Sequence, residues 1–328
     1  MVTHLSGYQD RDSEVVDYRM WQLPGTDLWF RGPARRDLVA GEYVAFVGAA
    51  QTFGCLCEQP FPALLEERLH RPCLNLGYGG AGPAFFLSRP ELLSYVNAAG
   101  LVVIQVMSGR SADNSLFESG GLEFLTRRAD GVQLGATRAW EEVIGRKPIW
   151  VPLSAPQLIE RAAGKINRLL ARPLVSRLVK ETLANYERDF TRLLAAIEPP
   201  IILFWFSRRK PRYQRRYDSL AGLFGEFPQL VDERTLHRLR TPRVQYVECV
   251  THRGTPHVLR SRFTGAPVTI DPARDRPDLG GTLIGADSYY PSPEMHADAA
   301  AALFPAAFAI TAPPAPVAAP RRSAASKP

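Results

Sequence analysis

The stretch that decides the fold reads Val44-Ala45-Phe46-Val47-Gly48-Ala49-Ala50-Gln51-Thr52-Phe53-Gly54. Its first four residues form a short apolar run that ends at a glycine, which is typical of a buried strand. The small residues that follow can form a tight turn into a helix. A strand that passes into a helix in this way is the first half of a βαβ unit, so we expect the rest of the chain to repeat it.

Four further apolar runs predict buried strands, at Cys73–Leu76, Leu101–Met107, Ile201–Phe206 and Val244–Val250. Helices are predicted between and after them, at Pro62–Leu69, Pro90–Ala99, Pro173–Ile197, Tyr217–Phe224, Glu233–Leu239 and Pro293–Phe308. Strands that alternate with helices at this spacing favour a parallel sheet with right-handed crossovers. The predicted fold class is therefore α/β, a three-layer sandwich with a five-stranded parallel sheet of the flavodoxin-like kind.

The remaining segments predict additions to a main domain that covers residues 39–310. Residues 1–38 are expected to form an N-terminal extension packed on the core, with residues 1–12 as a loose arm. Residues 111–172 are less regular and predict an insertion that caps the ligand-binding edge of the sheet; within it, Gly120–Arg127 and Thr137–Ile144 are compatible with helices. Residues 311–328 are rich in proline and alanine, which predicts a disordered tail.

Composition restricts the class of protein. The 328 residues are 45% hydrophobic and 22% charged, as in a soluble globular chain. No stretch reaches the ~18–20 apolar residues of a membrane helix, and the N-terminus is polar, so we expect no membrane span and a cytoplasmic location. The four cysteines lack metal-pair spacing, so we expect buried thiols and neither a metal nor a cofactor. A net charge of +7 indicates anionic partners, without a nucleic-acid-binding signature.

Three blocks resemble motifs of the SGNH/GDSL hydrolase superfamily. Gly48–Gly54 is similar to the pattern Gly-Asp-Ser-x-Thr-x-Gly, and Asn75–Gly80 is similar to Asn-x-Gly-x-x-Gly. The block Asp287-Ser288-Tyr289-Tyr290-Pro291 is similar to Asp-x-x-His-Pro. The resemblance covers Val44–Met107 and Asp287–Phe308, and it implies the same sandwich fold. The first turn also resembles that of uncharacterised bacterial proteins.

The resemblance implies a site that has lost its reactive pair. Ala50 stands at the position of the nucleophilic serine, and Tyr290 stands at the position of the histidine. The family's asparagine block would fall near Met107–Arg110, where no Gly-x-Asn-Asp occurs. A Ser–His mechanism needs an oxygen nucleophile beside a base whose pKa is near neutrality, so ester hydrolysis by the family's route is not expected. Whether another catalytic activity remains is left open by the sequence.

The candidate site residues follow predicted strands, where open α/β sheets bind ligands. The catalytic candidates are Tyr290, Asp287 and His296, the last as a replacement base. The binding candidates are Gly48, Ala50, Gln51, Thr52, Gly80, Ser108, Arg110, Arg208 and Arg209. Thr52, Cys55, Cys57 and Ser108 are the alternatives for a replacement nucleophile. No residue is assigned to a metal.

Three hypotheses about function follow. Arginine recognises carboxylate, sulfate and phosphate with two parallel hydrogen bonds, so Arg110, Arg208 and Arg209 favour a small anionic or carbohydrate ligand in a catalytically degenerate SGNH-like protein. The first alternative is an active esterase or acyl/sulfo-type transferase that acts on a glycan with rebuilt residues. The second is an interaction protein that binds an acidic partner through the insertion and the basic loop 208–216. The sequence does not indicate an oligomeric state.

Overall fold

A computed structural model of the chain describes residues 4–36, 38–144, 157–217, 219–271 and 283–312, with side chains described from residue 8 and, in the long helix, from residue 172. The first half contains α1 (His4–Asp12), β1 (Trp21–Gln22), β2 (Trp29–Phe30), β3 (Val44–Gly48), α2 (Ala50–Phe53), α3 (Phe61–Leu69), β4 (Cys73–Gly77), α4 (Pro83–Leu87), α5 (Pro90–Asn97), β5 (Leu101–Gln105), β6 (Phe117–Ser119), β7 (Phe124–Arg127), β8 (Gln133–Gly135) and α6 (Ala136–Ile144). The second half contains α7 (Gln157–Ala196), β9 (Ile201–Ser207), α8 (Leu220–Phe224), α9 (Glu233–Leu239), β10 (Val244–Val250), β11 (His257–Val258), β12 (Ala286–Asp287) and α10 (Pro293–Thr311).

The centre is a five-stranded parallel sheet in the order β10-β9-β5-β3-β4. Every residue of β3, β5 and β9 is buried, which is why these strands read as continuous apolar runs in the sequence. The predicted α/β class with five parallel strands is confirmed.

Helices cover both faces of this sheet, because alternate residues of each strand point to opposite sides. One face packs on α3 and α10, through Phe61, Leu65, Met295, Ala299 and Leu303. The other face packs on α5 and α7, through Leu92, Val96, Tyr186, Phe190 and Leu193. All five strands therefore end at one edge that lies between the two helical layers.

The N-terminal arm differs from the prediction. Residues 4–12 form α1, so the expectation of a loose arm over residues 1–12 is wrong for its described part. Asp12 at the end of this helix is fully buried; it accepts hydrogen bonds from Arg11 (2.5 Å) and from the Tyr18 hydroxyl (2.6 Å). The ring of Tyr8 lies 6.1 Å from that of Phe53, so α1 is packed beside the first turn of the sheet.

The insertion contains a small antiparallel sheet, β6-β7-β8. A helix over Gly120–Arg127 is wrong, because Gly121 has a φ of +83° and turns the chain between two strands. A helix over Thr137–Ile144 is confirmed as α6. The long helix begins at Gln157 and passes through Pro173, so the prediction placed its start too late. Residues 313–328, in the predicted tail, lie outside the described residues.

None of the helices in the described ranges is long and apolar enough to cross a lipid bilayer.

Candidate functional site

A cavity of about 310 Å³, here called the large cavity, lies where β3, β4 and β5 end. The turns after these strands contribute Ala49, Ala50, Gln51, Gly80, Ala81, Gly82, Ser108, Arg110 and Asp113. The flanking segments contribute Tyr8, Arg11, Glu123, Thr137, Tyr186, Asp189, Phe227, Gln229, Asp287, Tyr289 and Tyr290. The cavity is thus built from both ends of the chain and from the insertion.

The turn after β3 is held from the inside by polar contacts. The Thr52 hydroxyl donates to Oε1 of Gln105 (2.8 Å), and the Ala49 amide donates to the same oxygen (3.2 Å). A Cβ added to Gly48 would lie 2.1 Å from Oγ1 of Thr52. Gly48 and Thr52 therefore do not line the large cavity; the close approach that Gly48 permits is to Thr52, not to a ligand.

Arg31 stabilises the end of the same turn. Its guanidinium is buried and donates to the carbonyl oxygens of Gly54 (2.7 Å), Cys57 (2.7 Å) and Glu58 (2.6 Å). These carbonyls follow α2, where helical hydrogen bonds have ended, so they need another donor. The N-terminal extension that carries Arg31 is therefore part of the structure that positions the site.

Ala50 and Gln51 face the other way and line the large cavity. Gln51 is 3% exposed, and Gln229, on the loop before α9, is 7% exposed. The side-chain oxygen Oε1 of each is buried without a hydrogen-bond partner among the described residues. Two amide carbonyl oxygens in the lining are thus available to a donor.

Asp287 and Tyr290 lie in the lining together with Ala50. A carboxylate oxygen of Asp287 accepts a hydrogen bond from the Tyr290 amide (2.7 Å), and burial raises the pKa of this carboxyl group. Burial also raises the pKa of the Tyr290 hydroxyl well above its ordinary value. Tyr290 can donate a hydrogen bond here, but at neutral pH it cannot act as a base.

His296 lies in the core and does not line the large cavity. Its Nδ1 accepts a hydrogen bond from the Phe61 amide (3.2 Å), and its ring stacks on that of Phe61 at 5.9 Å. Burial lowers the pKa of His296 to about 3, so the imidazole is neutral at pH 7. The expectation of a replacement base at this position is corrected: α10 turns His296 toward α3.

The other candidates for a replacement nucleophile also lack an environment that would activate them. Cys55 and Cys57 are buried, and burial raises the pKa of the Cys55 thiol and raises that of Cys57 to about 12. Ser108 lines the cavity, where its hydroxyl donates to the backbone carbonyl oxygen of Gln229 (3.5 Å) and not to a side chain that could act as a base. The described residues also hold no group of three or more side chains able to bind a metal.

The three arginines proposed for an anion are separated in the structure. Arg110 lines the large cavity, where it pairs with Glu123 (3.4 Å) and donates to the Thr137 hydroxyl (3.2 Å). Arg208 lines a neighbouring small cavity of about 170 Å³ and pairs with Glu226 (3.3 Å).

Arg209 is directed into the protein. It donates to the carbonyl oxygens of Pro228 (2.7 Å) and Val231 (2.6 Å) and lies over the Trp205 ring; burial lowers its pKa to about 10. The expected arginine cluster does not form, because carbonyls of the irregular loop need these donors.

The charges of the large cavity are mostly negative. Four carboxylate residues line it (Asp113, Glu123, Asp189 and Asp287), against two arginines (Arg11 and Arg110). This balance does not favour a small anion. Residues that sequence reasoning missed are Tyr8, Arg11, Glu123 and Gln229; the first two were assigned to the loose arm, and no motif marks the others.

The large and small cavities share a wall. Gln51, Phe227, Gln229, Tyr289 and Tyr290 line both and are here called the shared wall. Tyr289 is 46% exposed, and its ring lies edge-on to that of Tyr290 at 4.9 Å. The shared wall therefore combines tyrosine rings with the two amide oxygens that have no partner.

Comparisons with known proteins give a family of unstated function and distant structural similarity. A family model described as "Domain of unknown function (DUF6473)" matches residues 7–119. No curated protein matches the chain.

Several solved structures are similar in overall fold. A lipase, Lip_vut3 from a goat rumen metagenome, is 12% identical, with a TM-score of 0.38 and coverage of 81% of this chain and 97% of its own. An acetyl xylan esterase, Est2A from Butyrivibrio proteoclasticus, is 10% identical, with a TM-score of 0.38 and coverage of 86% and 66%. The acetylxylan esterase Axe2 from Geobacillus stearothermophilus is 14% identical, with a TM-score of 0.34 and coverage of 84% and 96%. Similarities at this level do not assign an activity to this chain.

Proposed function

We propose that this protein binds a hydroxyl-rich ligand of the carbohydrate class in the large cavity, without the Ser–His chemistry of SGNH hydrolases. The observation that carries the proposal is the pair of unpartnered oxygens, Oε1 of Gln51 and Oε1 of Gln229. A buried acceptor without a partner costs about 1–3 kcal/mol. Such a group calls for a functional explanation, and a ligand hydroxyl supplies the donor that the protein does not.

The tyrosines of the shared wall support the same class of ligand. A pyranose has flat apolar C–H faces and a rim of hydroxyls, so it fits a site with aromatic rings and a few placed polar groups. Tyr289 offers an accessible ring, and Tyr290 offers a ring next to it. Tyrosine supplies such contact area while its hydroxyl remains available for hydrogen bonding.

The alternative of a rebuilt enzyme has less support. Ala50 has no nucleophilic atom, and His296 is neutral and enclosed in the core. Loss of both members of an acyl-transfer pair lowers the rate by several orders of magnitude.

The alternative of an acidic protein partner rests on the basic loop 208–216, which is partly used within the chain. Arg209 donates to loop carbonyls, Arg208 pairs with Glu226, and Arg215 pairs with Asp232 (2.7 Å). These three cations stabilise the loop itself, so the loop offers less charge to a partner than its sequence indicates.

Calorimetric titration with glucose, xylose and cellobiose tests the proposal. We expect binding by the wild type, and at least tenfold weaker binding by Gln229→Met, which keeps the side-chain length and removes the acceptor. Gln133→Met is the matched control, because Gln133 is exposed on β8 away from both cavities, and it should bind as the wild type does.

Two outcomes would overturn the proposal. Failure of the wild type to bind these three sugars and glucosamine would exclude carbohydrates as the ligand class. Hydrolysis of p-nitrophenyl acetate faster than by a heat-inactivated sample would contradict the proposed lack of hydrolase chemistry. It would favour the alternative of a rebuilt enzyme.

A further inference from the structure

The charged residues of the large cavity differ in whether they already have a partner of opposite sign. Arg11 pairs with Asp12, and Arg110 pairs with Glu123. Asp189 lies 3.0 Å from Arg188, outside the cavity. Asp113 likewise lies 3.7 Å from Arg128. Of the four carboxylates that line the cavity, one is therefore without an ion-pair partner among the described residues.

That carboxylate is Asp287, which is 6% exposed. It accepts a hydrogen bond from the backbone amide of Tyr290, and no cation of the described residues forms an ion pair with it, although His257 and Arg11 partly offset the rise in its pKa that burial causes. A buried carboxylate is stabilised mainly by an opposite charge or by hydrogen bonds to its ionised form, and backbone amides supply only the second. Asp287 is thus a buried acceptor that a cation would complete.

The two unpartnered amide oxygens provide an independent observation at the same place. Oε1 of Gln51 and Oε1 of Gln229 belong to the shared wall, and Asp287 is bonded to Tyr290 of that wall. All three side chains are at least nine-tenths buried, and all three offer acceptors. A hydroxyl both donates and accepts, whereas an ammonium group has three donors and no acceptor. Each glutamine amide also has an NH2 donor, but the two unpartnered amide oxygens and the Asp287 carboxylate are all acceptors, which matches the ammonium better.

We propose that the ligand carries a primary ammonium group, as an amino sugar does, and that Asp287 is its counter-ion. This inference rests on the proposed function, because it specifies the charge of the ligand in the same cavity. Gln51 and Gln229 then accept hydrogen bonds from the ammonium or from a hydroxyl beside it. The face of a tyrosine ring in the shared wall adds a favourable site for a cation.

Titration at pH 7 with glucosamine, glucose and N-acetylglucosamine tests the inference. The three sugars share a ring and differ at one position, where only glucosamine carries a charge. We expect glucosamine to bind about tenfold more tightly than glucose, since its ammonium makes a charge-assisted hydrogen bond to Asp287. N-acetylglucosamine has no charge and should show no such gain.

Substitution of Asp287 tests whether this residue is the counter-ion of the ammonium group. Asp287→Asn keeps the shape of the side chain and removes the charge, so it should abolish the preference for glucosamine over glucose. Asp130→Asn, on the exposed turn between β7 and β8, is the matched control and should retain that preference. Urea unfolding of both variants establishes that they are folded.

The outcomes separate the two proposals. Equal affinity of the wild type for glucosamine and glucose overturns the inference and leaves the carbohydrate proposal standing. No binding of any sugar overturns the carbohydrate proposal itself. A preference that survives Asp287→Asn overturns the role of Asp287. The wild-type comparison decides the charge of the ligand even if Asp287→Asn does not fold.

Discussion

The shared wall and the layer of side chains directly behind it differ in how they use polar groups. Behind the wall, Thr52 donates to Gln105, and Arg31 donates to a series of carbonyl oxygens. In the wall, Gln51 and Gln229 each have a buried oxygen for which the described part of the chain supplies no partner. Gln51 and Thr52 are adjacent in sequence, yet one faces the cavity and the other faces the core. The difference teaches that pairing, rather than residue type, separates the groups that hold the fold from those available to a ligand.

The largest effect is expected behind the wall, at Arg31. Arg31→Met removes the donors of several buried carbonyl oxygens, each of which costs about 1–3 kcal/mol when left unpaired. Part of this loss is offset because a buried charge no longer has to be desolvated. We expect the free energy of unfolding to fall by about 3–5 kcal/mol in urea titrations.

Arg212→Met is the control for Arg31, because Arg212 is exposed on the basic loop. Its free energy of unfolding should change by less than about 0.5 kcal/mol. Similar losses in the two variants would contradict the assignment of Arg31 to the supporting layer.

A second effect concerns His296, which lies behind the wall that carries Tyr290. Its pKa in the folded protein is about 3, below the ordinary value of about 6.5 in an unfolded chain. Between these values the unfolded state binds the proton and the folded state does not, so stability falls as pH drops below about 6.5. At pH 5 this group should cost about 2 kcal/mol relative to pH 7.5.

Urea unfolding of His296→Gln at the two pH values measures this contribution. The variant should lose less stability on acidification than the wild type, by about 2 kcal/mol. His237→Gln, at an exposed position of α9, should lose as much as the wild type does. An unchanged pH dependence in His296→Gln would show that the imidazole is not held neutral.

The smallest effect provides the most direct comparison, because it uses the adjacent residues Gln51 and Thr52. Thr52→Val removes the hydrogen bond to Gln105 and should lower the free energy of unfolding by about 1–2 kcal/mol. Gln51→Met removes a buried oxygen that has no partner among the described residues, so the free energy of unfolding should not fall and should rise by about 1 kcal/mol. Equal losses in urea titrations would remove the contrast between the wall and the layer behind it.

Sequence patterns predicted the sheet well because each buried strand leaves a local signal. β3, β5 and β9 are apolar up to their last residue, which is Gly48, Gln105 and Ser207, so each prediction ends close to the observed boundary. The antiparallel strands of the insertion are only three or four residues long, so they leave a weak signal. α1 was missed because its polar sequence resembles a disordered arm, whereas the burial of Asp12 and the contact between Tyr8 and Phe53 appear only in the folded chain.

The sequence predicted that residues directly after a strand would lie near the cavity. It did not predict which way the side chain of each such residue would point. Ala50 and Tyr290 line one cavity although they are 240 positions apart. Arg209 follows β9 as expected, but its side chain turns inward because the carbonyls of Pro228 and Val231 lie there. A basic run in the sequence contains no information about which carbonyl oxygens will need a donor.

By itself, the sequence determined the α/β class and the five parallel strands, and it has an alanine at position 50 and a tyrosine at position 290. Only the tertiary structure decided which polar side chains face the cavity and which are used to hold it. The physical reason is that burial and pairing depend on atoms that come from distant parts of the chain. Gln51 and Gln229 become functional candidates only because folding buries their oxygens in one wall, where none of the described residues supplies a donor.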